Sequence, residues 1–185
     1  VLITTKHGSN QKTKISLNVS TMTSQVWKKL NVLNGSQFKD LATELGLSTD
    51  WNTYNANTNW QDVIFRNAAT QNYQLSMTGG DEKTDYYLSG SFINQNGIVL
   101  NNSLKRATFK LNLNHQVSHI LKVGTNISYD RWSDISVPEN DRNGVITRLL
   151  TSVPIIGIWD KTNPDQYALN PFIPDLENPY STVYQ

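Results

Sequence analysis

The strongest constraint on this chain is an alternation. From Gln71 to Trp132, apolar and polar residues take turns over four successive segments. Tyr73, Leu75 and Met77 alternate with Gln74, Ser76 and Thr78. Ala107, Phe109, Leu111 and Leu113 alternate with Thr108, Lys110, Asn112 and Asn114. Leu121, Val123, Ile127 and Tyr129 alternate with Lys122, Asn126, Ser128 and Asp130. Successive side chains on a strand point to opposite faces, so each segment makes a strand with one oily and one wet face. An earlier run, Ile15, Leu17 and Val19 against Lys14, Ser16 and Asn18, adds a fifth. The expected fold class is all-β, with antiparallel amphipathic strands near 13–21, 69–78, 84–93, 105–117 and 120–132. What the oily face meets, a protein core or a lipid bilayer, decides the function.

The stretches between the strands are uneven. Gly79-Gly80-Asp81-Glu82-Lys83 reads as a tight hairpin turn and Ser118-His119 as another, with Asn96-Gly97 as a turn signal after the third strand. The stretches 22–68 and 133–185 are long loops. Short turns on one rim and long loops on the other are the asymmetry of outer-membrane barrels. Phe38, Leu41, Ala42 and Leu45 follow helical spacing, which predicts a helix near 36–45 with Ser36 as N-cap and Gly46 as the C′ residue. Trp60 to Phe65 is expected to form a short helical turn. Val145, Leu149, Leu150 and Val153 predict another helix, capped by Asn140 or Asp141 and stopped by Pro154. The remainder, with Pro164, Pro171, Pro174 and Pro179, reads as extended loop.

Aromatic depth fits the same asymmetry. Tyr73, Phe92 and Tyr129 fall near the long-loop rim, and Tyr86 and Tyr87 near the short-turn rim, as two interfacial girdles would. Five strands are too few to close a barrel, whose minimum is about eight. No apolar run is long enough for a transmembrane helix, but barrel strands alternate and average out as polar. The net charge of +1 gives no argument for nucleic acid, and the absence of Cys removes disulfides, thiolate metal sites and Cys nucleophiles together. The chain opens inside an apolar run without an initiator Met and stops in loop-like sequence, so it is expected to be a piece of something longer.

Catalytic and metal chemistry find little support. His115 and His119 have a metal-ligand spacing only on a helix, and here a strand and turn separate them; His7 stands apart. Asp141, Asn143 and Gly144 echo part of a calcium loop, but Leu150 stands where its bidentate Glu belongs. Asp160, Asp165 and Asp175 lie in loops that fix no geometry. No phosphate-binding or nucleophile-elbow motif occurs. The loop aromatics are a better lead: Trp51, Tyr54, Trp60, Trp159 and Tyr167, with Phe172 and Tyr180, lie among Asn, Gln and Asp. A flat ring packs on the C–H face of a sugar while amides bond its hydroxyls, which makes the first five substrate-contact candidates. The alternative is that they anchor the loops to one another.

Several motifs in order resemble one family. Asn72-Tyr73, Gly79-Gly80-Asp81-Glu82-Lys83-Thr84, Tyr86-Tyr87-Leu88-Ser89-Gly90, Asn96-Gly97-Ile98-Val99 and Lys105-Arg106 resemble the early barrel of SusC/RagA-like TonB-dependent outer-membrane transporters. Val1-Leu2-Ile3-Thr4-Thr5-Lys6-His7-Gly8 resembles the final strand of that family's plug. Trp27-Lys28-Lys29-Leu30, Trp60-Gln61-Asp62, Val153-Pro154-Ile155 and Asn170-Pro171-Phe172 resemble segments of its long loops. The resemblance implies that residues 1–8 are the last plug strand and 9–185 the first part of a barrel of roughly 22 strands. It implies a Gram-negative outer membrane, import of glycans or peptides rather than catalysis, and no cofactor. The implied partners are outer-membrane lipid, a SusD-like surface lipoprotein, the TonB complex, and an oligosaccharide or peptide substrate; no nucleic acid is implied. The competing reading of the same strands is a soluble all-β glycan-binding module whose oily faces form a core between two sheets.

Overall fold

The structure is a computed structural model that describes residues 8–47, 49–139, 143–173 and 175–184. Its strands are β1 (Gln11–Ser24), β2 (Ala68–Gly80), β3 (Thr84–Asn96), β4 (Ser103–Ser118) and β5 (Leu121–Ile135). They form one five-stranded sheet in the order β1-β2-β3-β4-β5, so every strand lies beside its neighbour in sequence. All five expected strands are present, each longer than the alternation alone marked out. The expected plug strand falls outside the described residues except at Gly8.

Register confirms the two faces. Tyr73, Leu75, Met77 and Gly79 of β2 stand opposite Phe92, Gly90, Leu88 and Tyr86 of β3. Those four in turn stand opposite Ala107, Phe109, Leu111 and Leu113 of β4. On the other face, Ser76 meets Ser89 and then Lys110, while Gln74 meets Ser91 and then Thr108. Arg106 Nε donates to both oxygens of Asp130 at 3.0 Å, which puts the even-numbered residues of β5 on the polar face beside those of β4. Tyr87 corrects the sequence reading: opposite Thr78 and Asn112, it belongs to the polar face and not with Tyr86.

Among the described residues nothing covers the apolar face. Ile15, Leu17, Val19, Leu75, Phe109, Val123, Ile127 and Tyr129 are all exposed. An ordinary soluble sheet buries such a face against a second layer.

The segments Ser24–Ala68, Gly97–Asn102 and Ile135–Gln185 form a second compact unit. Its elements are α1 (Gly35–Glu44), α2 (Trp60–Ile64), α3 (Val145–Thr151) and α4 (Pro179–Tyr184). This unit has a true core, in which Trp60, Ile64, Val99, Val145, Leu149, Ile155 and Val183 are buried together. Burying each such side chain stabilises the unit by about 1.5–3 kcal/mol before entropy is counted. Residues far apart in sequence thus fold as one body. No helix of the described residues is long and apolar enough to cross a membrane.

Helix ends show which local signals hold. Gly46 takes φ +75°; its N–H donates to Thr43 O and that of Leu47 to Ala42 O, the paired bonds of a Schellman stop, as expected for Gly46. The N-cap is Asn34 rather than Ser36. Its side chain accepts from Gln37 N while the Gln37 side chain accepts from Asn34 N, closing a capping box. α3 begins after Gly144 with no side-chain cap, and the expected caps Asn140 and Asp141 fall outside the described residues. The stretch read as extended loop ends in α4, begun by Asn178-Pro179. The Asn-Gly signal at 96–97 is not the turn: β3 runs through Asn96, and Asn101 carries the positive φ of 58°.

Candidate functional site

The exposed aromatic surface of the second unit is built on a small hairpin. Ala168 N donates to Ile158 O and Asp160 N to Gln166 O, with an isolated bridge between Trp159 and Tyr167. The bridge sets the two rings face to face, 4.8 Å apart and 14° from parallel. Tyr180 meets Trp159 edge-on at 6.1 Å, and Tyr184 lies 4.8 Å from Tyr180. The hydrogen bond between the Tyr180 and Tyr184 hydroxyls raises the Tyr180 pKa above its usual value, and burial adds to the shift.

Three Asn-Pro pairs shape the backbone around these rings. Asn163 Oδ1 accepts from Asp165 N at 3.3 Å, and Asn170 Oδ1 from Phe172 N at 2.9 Å and Ile173 N at 3.1 Å. Asn178 Oδ1 accepts from Tyr180 N at 3.1 Å and Ser181 N at 3.0 Å, capping α4 with Pro179 at its first position. The buried Asn178 amide also donates to Ile158 O at 3.0 Å and Ala168 O at 3.1 Å, which ties the hairpin to α4. Where extended loop is expected around these prolines, the Asn before each one instead turns the backbone, and the last pair starts α4.

Beside the rings lies a depression of about 360 Å³, lined by Asp160, Asp165, Tyr167, Leu169, Glu177 and Ser181 among others. Asp160 turns the hairpin tip. Its Oδ1 accepts from Thr162 Oγ1, from Thr162 N at 2.7 Å and from Asn163 N at 3.0 Å, and these bonds hold its carboxyl below the ordinary value. A larger cleft of about 850 Å³ opens between the extended strap at Leu30–Leu33 and the end of α3. Gln61 fixes one end of that strap, accepting from Leu30 N at 2.9 Å and donating to Leu30 O at 2.8 Å. The strap is also held by an ion pair between Lys29 and Asp62.

The five sequence candidates separate. Trp159, 47% exposed, and Tyr167 come together in the stack. Trp51 and Tyr54 are partly buried against the core, Trp51 beside Phe172 at 6.4 Å. Trp60 is a core residue, 2% exposed, with its indole N–H donating to Val153 O at 3.0 Å. Among the described residues no three His, Asp or Glu converge to hold a metal ion. The arrangement offers ring faces, amides and carboxylates for binding.

No family model matches the chain. It is 29% identical over 98% of its length to TonB-dependent receptor P3 of Formosa agariphila, covering 18% of that protein. It is 37% identical over 61% of its length to TonB-dependent receptor SusC of Bacteroides thetaiotaomicron, covering 12% of it. The structure of the RagAB peptide transporter matches 96% of the chain with a TM-score of 0.74 and 21% identity, over 25% of that chain; its closed-closed state gives a TM-score of 0.72. The chain therefore spans less than a fifth of the length of the curated relatives it matches. In sequence and in fold it belongs with the SusC/RagA-like TonB-dependent receptors, of which it corresponds to a segment.

Proposed function

We propose that this chain is the early barrel wall and outer loop region of a TonB-dependent outer-membrane transporter. In this reading residues 1–8 end the plug and 9–185 begin the barrel. The transporter takes in glycans or peptides with a SusD-like surface lipoprotein as partner and the TonB complex as energy source. The relatives named receptors and the RagAB structures named a peptide importer support transport over catalysis.

The observation that carries the reading is the uncovered apolar face and its height. On β3 and β4 that face ends in polar rows at Asn94 opposite Lys105 and at Thr84 opposite His115. These rows are about 34 Å apart along the strand, or about 26 Å when strands tilt by about 40°. That matches the roughly 25 Å apolar band of outer-membrane barrels. A core-facing sheet has no reason to keep such a height, nor to leave the face open.

Leu111, opposite Leu88, lies near the middle of the band. In the complete receptor, Leu111→Arg is expected to cost about 2–4 kcal/mol while still allowing insertion. Cooperative unfolding of the isolated 185-residue chain as a detergent-free monomer would point to the soluble module instead.

A further inference from the structure

We propose that the outward end of the apolar face binds a phosphorylated glycolipid of the outer leaflet, with Lys105 and Arg131 on its phosphate and Gln71 and Ser133 on its sugar. This rests on the barrel reading above. Charge on the five strands is sorted by face. The strand carboxylates are Asp85, Asp130 and Asp134. Asp85 accepts from Asn114 Nδ2 at 2.8 Å and Asp130 from Arg106 Nε at 3.0 Å, so both point to the polar side. Asp134 follows Asp130 by the two-residue period. Ile15 shares the apolar face with Leu75, Leu88 and Phe109, which puts its neighbours Lys12 and Lys14 on the polar side. Lys110, opposite Ser89, and Lys122 alternate to that side as well. Lys105 and Arg131 are left as the only Lys, Arg, Asp or Glu of the strands on the apolar face.

Both cations lie at one end of that face. Lys105 stands in a row with Asn94 and Gln71, just beyond the row of Tyr73, Phe92 and Ala107. Asp130 also accepts from Thr108 Oγ1 at 3.5 Å, which sets Arg131 near the level of Lys105 and Ala107. Lys105, Arg131, Gln71 and Ser133 are exposed, and no ion pair among the described residues involves either cation. The short turns at 81–83 and 119–120 close the opposite end, so in an outer-membrane barrel the cations face outward. The outward leaflet of a Gram-negative outer membrane is built of glycolipid, with phosphorylated sugars just above the level of its acyl chains. Long cationic side chains keep their stems on apolar surface and lift their charge to such a level. The Arg131 guanidinium can give two N–H groups to one phosphate, and Lys105 adds a point charge. The Gln71 amide and Ser133 hydroxyl suit sugar hydroxyls, since each can donate and accept. With no carboxylate on the face to compete, an anionic headgroup is the complementary ligand.

The test uses the complete receptor that carries this segment, in nanodiscs holding equal amounts of lipid A and phosphatase-treated lipid A. Retained lipid is counted by native mass spectrometry. Wild type is expected to retain the phosphorylated form preferentially. Lys105→Ala with Arg131→Ala should lower that preference by about 25-fold, about five-fold for each cation, while Lys105→Arg with Arg131→Lys keeps it. Lys110→Ala removes a charge from the polar face and should leave the preference unchanged. Equal retention of the two forms by wild type, an unchanged preference in the double Ala variant, or an equal loss in Lys110→Ala overturns the proposal. Displacement by millimolar inorganic phosphate, or phosphatidylglycerol retained as well as lipid A, overturns it too. A Leu111→Cys receptor, labelled from the lipid phase or from water, separates the failures. Labelling only from water defeats the barrel reading itself; lipid-phase labelling without preference for the phosphorylated form defeats the glycolipid site alone.

Discussion

The ring of Tyr86 lies across Gly79: a Cβ placed on Gly79 would stand 2.8 Å from the Tyr86 hydroxyl. The two residues are opposite in register on β3 and β2, and the hydroxyl reaches on to Thr13 Oγ1 of β1 at 2.5 Å. One tyrosine thus links three strands at the short-turn rim. Gly79→Ala should push the ring aside and break the Thr13 bond, destabilising the sheet by about 1–3 kcal/mol. Tyr86→Phe should keep the packing and lose only the bond, about 1 kcal/mol. The midpoint of thermal unfolding of the receptor reads both.

Two tryptophans that look alike in sequence should behave oppositely. Trp60→Ala empties a core position and strands the Val153 carbonyl, an expected loss of about 3–5 kcal/mol. Trp159→Ala gives up one exposed stacked pair, about 0.5–1.5 kcal/mol. If the Trp159–Tyr167 stack touches substrate, Trp159→Ala raises the half-saturating concentration for uptake several-fold at an almost unchanged unfolding midpoint. Wild-type uptake in that variant would remove the hairpin from the substrate path.

Gln61 holds the strap through its own amide. Gln61→Ala leaves Leu30 N and O without their partner and should cost about 1–3 kcal/mol. Gln61→Glu keeps the acceptor for Leu30 N and loses the donor to Leu30 O. Hydrogen exchange at the Leu30 amide should speed up strongly in the first variant and weakly in the second.

Asp160 makes the hairpin tip sensitive to acid. Its hydrogen bonds from Thr162 and Asn163 depress its folded pKa below the ordinary 3.8. The stabilisation is therefore complete above 3.8 and is lost as pH falls through the lower folded value. Amide exchange at Thr162 and Asn163 should accelerate at those acid pH values and show no such step in Asp160→Asn.

Asn178 should be the least replaceable polar side chain of the second unit. Asn178→Asp keeps the cap on Tyr180 and Ser181 but loses the donors to Ile158 O and Ala168 O. A loss of about 2–4 kcal/mol is expected, combining unmade bonds with a buried charge. Circular dichroism melts of the two receptors measure it.

The strands were legible because alternation is a local property. A residue's face in Tyr73 to Met77 or Ala107 to Leu113 follows from its place in a two-residue period, whatever lies elsewhere. Gly46 was legible for the same reason, since the left-handed turn that stops α1 needs a residue without a Cβ. Asn34, two residues before the expected Ser36, shows the limit: several polar residues can cap, and the path of the chain selects one.

The sequence by itself determined five two-faced strands, their order, the uneven connections and the kinship to a receptor family. Only the tertiary structure decided which aromatics are buried. The Trp60 indole is inside because Val153, far along the chain, folds back to accept its proton. Trp159 is outside because a bridge to Tyr167 spreads the two rings on a surface. Periodicity records the direction of a side chain from its own backbone; burial depends on what distant segments bring to that side.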